Sequence, residues 1–199
     1  FQFSDKIFIK TAPLLDIKQT LKDLKLVSEI WIISVNNDCK EVLYLLEKGF
    51  SSEPEIHTIN LSKTNQEFSF NHKQEQSSYG ELSEPKKYLY ESNSAILKAG
   101  AFNSICDEYQ VKKLAQHSHL YTSESLIENF PGRQFKIEHV LPYNLKDFRK
   151  LNITKANVSC RNFKHNVAQV KLKLKLKDGG ETYLFATLLN SAGTFDLSL

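Results

Sequence analysis

Between Lys146 and Lys177 the sequence carries ten lysines and arginines and a single acid, Asp147. A run so short of acids holds few ion-pair partners of its own, and side chains of this kind neutralise phosphate. Within the run, the alternation from Ile153 to Cys160 sets Ala156, Val158 and Cys160 on one strand face. Lys155, Asn157, Ser159 and Arg161 fall on the other. The polar face, continued by Lys164 and Lys171, is the nominated nucleic-acid surface. Phe163 beside it is either a ring for stacking on a base or a core residue.

A second group is Tyr90, Glu91, Asn93 and Lys98, polar residues gathered around an expected helix start. They read as a substrate-facing cluster, or as a helix cap with an internal Glu91–Lys98 pair. His117 and His119 lie two apart and would share a strand face, but no carboxylate or thiol stands near them in sequence, so no metal is expected. Cys39, Cys106 and Cys160 have no C-x-x-C spacing and read as reduced core thiols. The chain lacks G-x-S-x-G, a Walker loop and H-E-x-x-H, which argues against a hydrolase or nucleotidase.

The elements that must position these residues follow an α/β pattern. Ile7 to Ile9, Glu29 to Val35 and Glu55 to Leu61 read as strands. Leu14, Ile17, Leu21 and Leu24 recur at helical spacing, with Asp16 as cap. Asp38 as N-cap, the stripe Cys39, Val42, Leu43 and Leu46, and Gly49 as a stop predict a second helix, so the first three strands are expected in a largely parallel sheet. Residues 62–87 are polar, with one short strand signal at Phe68 and Phe70, and read as a linker or insert.

Further on, Tyr88 to Tyr90 is extended, and Ala95, Ala99, Phe102, Cys106 and Tyr109 form a helical stripe that Gly100 weakens. Strands are expected near 117–121 and 134–141, with a helical turn from Ser123 between them and a helix capped by Asn144 after them. The run Val170 to Lys177 has a period of two, yet Asn166 as cap and Val167, Val170 and Leu174 as an inner face favour a helix. Asp178-Gly179-Gly180 turns into a strand at Glu181 to Leu189, and Gly193 into a last strand, Thr194 to Leu199.

The net charge of +3 hides an asymmetry. Residues 1–61 balance at −2, 62–145 at −1 and 146–199 at +6. With 41% hydrophobic and 25% charged residues the chain is of ordinary globular composition. No apolar run reaches the roughly 20 residues of a membrane span and no signal peptide is evident, so a cytoplasmic location is expected. The start at Phe1 and the absence of methionine suggest a piece of a longer protein.

Tyr88 to Phe102 (YLYESNSAILKAGAF), His119 to Ser123, Phe130-Pro131-Gly132-Arg133, Val140 to Tyr143 and Leu174 to Gly180 resemble the C-terminal region of Bacteroides-type class I S-adenosylmethionine-dependent methyltransferase-like proteins. Tyr90-Glu91-Ser92-Asn93 departs from the family's Tyr-Glu-Pro-Asn. The resemblance implies the C-terminal part of a Rossmann-like methyltransferase sheet over 1–61. After it would come a polar insert and ferredoxin-like segment over 62–131 and a basic THUMP-like domain over 132–199. It implies S-adenosylmethionine in the intact protein and RNA as substrate. None of the seven glycines stands in a G-x-G, so no cofactor is expected for this chain alone. The expected partners are RNA and a missing N-terminal methyltransferase half. The competing expectation is a non-catalytic structural or protein-interaction module whose lysines keep it soluble.

Overall fold

The structure, a computed structural model, describes residues 2–189 and 194–198. The Gly193 turn and Leu199 lie outside them. The chain divides into two compact units, Phe1–Tyr79 with Ser92–Ile105, and Gly80–Glu91 with Cys106–Leu199. Among the described residues no helix is long and apolar enough to cross a membrane.

The first unit contains β1 (Lys6–Thr11), α1 (Ile17–Asp23), β2 (Val27–Val35), β3 (Asp38–Glu47), β4 (Glu55–Leu61), β5 (Gln66–Phe70) and α2 (His72–Ser77). After β6 (Tyr88–Ser92), most of which belongs to the second unit, it takes up α3 (Ser94–Ala99). Its sheet has the order β1-β3-β2-β4-β5, in which β2 and β4 are parallel and the other neighbours antiparallel. The expected parallel sheet is therefore corrected to a mixed one. β1 and β2 run in the same direction, joined through α1, with β3 inserted antiparallel between them.

The correction has a local cause. Residues 38–47 form a strand rather than a helix, because Asn36 and Asn37 adopt left-handed backbone, with φ of 49° and 63°. That conformation makes the two-residue hairpin turn whose twist matches the flanking strands, and asparagine tolerates it better than most residues. The acidic residue after the turn resembles a helix cap in sequence. The apolar positions 42 to 46 satisfy both periods because Val42, Tyr44, Leu45 and Leu46 are all buried. Ile30, Ile32, Ile56, Phe68 and Phe70 complete the core, with Ala95, Ile96 and Ala99 of α3 buried among the apolar residues. β5 and α2 come from residues expected to be linker: β5 pairs with β4 in register Ile56 to Phe70.

The second unit holds α4 (Ser104–Tyr109), which starts in the first, then β7 (Lys112–Lys113), β8 (Leu120–Ser123), β9 (Gly132–Pro142), α5 (Leu145–Arg149), β10 (Asn157–Arg161), α6 (Val167–Leu174), β11 (Tyr183–Thr187) and β12 (Thr194–Ser198). With β6 they make a sheet of order β10-β11-β12-β9-β6-β8-β7. The stripe expected as one helix from Ala95 to Tyr109 is two helices. Gly100, at φ 80°, closes α3 in the left-handed conformation that glycine adopts without penalty. The helical turn expected from Ser123 is a bend without helix. α6 forms as the cap predicted: Asn166 and Gln169 make a reciprocal capping box, and Val170 and Leu174 face the core.

Replacing Asn37 with Ala is expected to lower stability by about 2 kcal/mol, from left-handed strain and from loss of the bond that its Oδ1 accepts from the Ser94 N–H. Asn36→Gly should be close to neutral. Urea denaturation of the full chain measures both. A helix over 38–47 would make the chain indifferent to either change.

Candidate nucleic-acid interface

β6 is covered on both faces, so its polar residues meet protein rather than water. Glu91 is 3% exposed. Its Oε1 accepts from Nε and Nη2 of Arg161 at 2.8 and 2.6 Å. Its Oε2 accepts from Nε of Arg133 at 2.8 Å and from Arg133 Nη2. A buried carboxylate costs several kcal/mol unless paired, and here two forks satisfy it. Arg133 is further held beside the rings of Phe135, Tyr183 and Phe185, whose centroids lie 5.5, 5.7 and 5.9 Å from its guanidinium carbon.

The other members of the nominated substrate group are placed differently. Tyr90 is fully buried, its hydroxyl bonded to Ser123 Oγ and Ser125 O and accepting from Ile127 N. Asn93 caps α3, accepting from the N–H groups of Ala95 and Ile96 and donating to Gln66. Lys98 donates to Leu15 O at 2.8 Å and does not meet Glu91 as an internal pair. Lys98 lines a cleft of about 780 Å³ in the first unit with Asp16, Glu53, His72 and Glu75. Of the four it is the one that borders open space. Glu75 there is already engaged by the N–H groups of Phe102, Asn103 and Ser104 and by the Ser104 hydroxyl.

The basic stretch also divides. Arg161 is in the Glu91 triad. Asn157 donates to Gly180 O at 2.9 Å and so closes a turn. Lys171 is paired with Asp178, an acid just outside the run. Lys155 and Lys164 are exposed. Phe163 packs edge-on against Tyr143 at 5.3 Å, near His165, and against the apolar cluster under α6. The core alternative for Phe163 therefore holds in part, and the same ring also borders a cleft of about 340 Å³ with Tyr143, Lys164 and Lys173. Lys173 Nζ sits 3.7 Å above the Tyr143 ring. Burial pushes the Tyr143 hydroxyl above its ordinary pKa.

Sequence reasoning missed Arg133, Tyr143 and Lys173 as site residues. The signals existed: Arg133 and Tyr143 stand in motifs already singled out, and Lys173 lies one helical turn from Val170. His117 and His119 do not share a strand face, since His119 has φ 53° and precedes β8. Burial, and then the charges of Lys113, His117 and Arg161, lower the His119 imidazole to about 4. The three cysteines are free, and burial raises the thiols of Cys39 and Cys160, which leaves them poor nucleophiles. Among the described residues no cluster of three or more His, Cys, Asp or Glu is gathered to hold a metal.

Glu91→Ala is expected to destabilise the chain by about 3 kcal/mol, because two guanidiniums lose their counter-charge; thermal and urea melts check this. For His119, the unfolded imidazole titrates near 6.5 and the folded one near 4. In that interval the unfolded chain binds a proton that the folded chain refuses, so stability falls as pH drops from about 6.5 towards 4. His119→Asn, which tolerates positive φ, should make the fall shallower in urea midpoints measured across that range.

Comparison with known proteins adds three findings. Residues 88–131 match a family model described as a ferredoxin-like domain, and residues 132–195 match one described as THUMP domain-like. A solved structure from Porphyromonas gingivalis, described as a "putative methyltransferase", superposes with a TM-score of 0.91 at 32% identity. The match covers 99% of this chain and 51% of that one, so the chain spans about half the length of that relative. None of the curated proteins matches it.

Proposed function

We propose that this chain is the substrate-recognition part of an S-adenosylmethionine-dependent methyltransferase that acts on RNA. The observation that carries the proposal is the coincidence of the THUMP domain-like match with the basic run, since residues 132–195 contain both the run and the aromatic cleft beside it. Exposed lysines supply attraction to phosphate. Tyr143 and Phe163 at the edge of a cleft offer ring surface to an unstacked base.

The sequence offers no glycine-rich loop of the kind that approaches S-adenosylmethionine closely. The turn from β1 to α1, residues 12–16, has no glycine that would let backbone approach a cofactor, and the chain has no G-x-G elsewhere. Methyl transfer is therefore assigned to a further methyltransferase half, and the role of these residues is to bind and orient the RNA. The end strand β1 supports a partner of that kind. It pairs with β3 along one edge, Phe8 on it is 64% exposed, and Leu14 after it is 94% exposed. The free edge of an end strand is a ready template for pairing with a further segment.

Fluorescence anisotropy with a short single-stranded RNA tests the RNA reading. Binding should weaken steeply with salt. Lys164→Ala and Lys173→Ala should each reduce the slope of log affinity against log salt by about 1. Absence of binding at low salt would sink the proposal in favour of a protein-interaction module.

A further inference from the structure

We propose that Arg133 and Arg161 form a phosphodiester clamp, with Glu91 as the residue that positions both guanidiniums for it. The inference deepens the RNA reading and rests on it for the identity of the ligand.

Neutralising a buried carboxylate requires one guanidinium; Glu91 has two. The four acceptor positions of the carboxylate are filled by two N–H groups from each arginine. Each guanidinium has five N–H donors, so each keeps three to offer. Both arginine side chains are 40% exposed while the carboxylate between them is 3% exposed. The anion is thus hidden and the cations are presented. The triad carries a residual charge of +1, which a singly charged phosphodiester matches better than a doubly charged monoester.

Geometry favours the same ligand. Both arginines grip one carboxylate, one guanidinium on each of its oxygens, which gathers two cations in one place for a phosphodiester. The rings around Arg133 and the fork on Glu91 restrict both side chains before any ligand arrives, which lowers the entropy lost on binding. The surroundings are cationic as well: Lys113, His117 and Arg161 all act against protonation of His119. Arg133 and Glu91 belong to segments matched by different domain families, so the clamp would bring RNA to the join between the ferredoxin-like and THUMP-like segments.

The experiment uses the full chain in two arms. In the first, anisotropy with short oligouridylate compares Arg133→Lys and Arg161→Lys, which keep the charge and lose the fork, with the wild type and with Lys164→Ala. Each Lys variant should weaken binding about ten-fold, the loss of one charge-assisted hydrogen bond, with the salt slope unchanged. In the second, inorganic phosphate is titrated into wild-type protein labelled with nitrogen-15 at arginine, and the Nη resonances of Arg133 and Arg161, which carry the donors that Glu91 leaves free, should shift together and saturate. Wild-type RNA affinity in both Lys variants, with Lys164→Ala weakened, would overturn the clamp and leave the RNA reading standing. Saturable phosphate shifts without any RNA binding would keep the clamp as a small-anion site and remove the RNA reading. Should the variants fail to fold, the wild-type titration decides: unmoved Nη resonances overturn the proposal.

Discussion

One buried carboxylate organises the second unit. Glu91 lies on a strand closed on both faces, where an ionised group must be met by charge and by hydrogen bonds or be excluded. Arg133 from the start of β9 and Arg161 from the end of β10 meet it with two N–H groups each. Loss of either arginine would leave a half-satisfied carboxylate, and an apolar residue at position 91 would leave two cations against a closed strand. The three positions are therefore a single device. They tie the segment that matches a ferredoxin-like domain to the one that matches a THUMP-like domain.

That device changes the meaning of the basic run. A stretch with one acid among eleven charges suggests a field open to solvent along its whole length. In the folded chain Arg161 is anchored to Glu91 and Lys171 to Asp178, while Lys150 and Asp147 pair at 2.6 Å. The cationic surface that remains is discontinuous. Part lies at the exposed lysines and the Tyr143–Phe163 cleft, and part at the outward donors of the two arginines. Of the alternating strand face that first suggested the site, Lys155 and Arg161 remain in it, while Asn157 serves a turn.

The first unit depends on a different constraint, the polar network around the tip of the β2–β3 hairpin. Asn37 accepts from Ser94 N at 2.7 Å and its own N–H donates to Asn60 at 2.8 Å. Ser94 Oγ bonds Ser34 Oγ, and Gln66 accepts from both Asn60 and Asn93. These short side chains fix the start of α3 over a sheet whose core is otherwise apolar. Such networks specify one arrangement because every member must be satisfied in the low-dielectric interior.

Much of the fold was legible in local pattern. The strands at β1, β2, β4, β9 and β11, the caps Asp16, Asn144 and Asn166, and the inner face of α6 follow from period and capping chemistry acting over a few residues. The hairpin at Asn36–Asn37 was misread because one apolar run fits two periods when both faces are buried, and only pairing with β1 and β2 chose the strand. The site was legible in kind and not in place. Composition and spacing alone determined that the C-terminal part is cationic, that Glu91 and Arg161 are notable, and that no G-x-G occurs. Tertiary structure decided which charges cancel and which face water. The reason is that Glu91 finds its partners 42 and 70 residues away, a separation over which no local periodicity carries information and only the folding of the sheet brings the groups together.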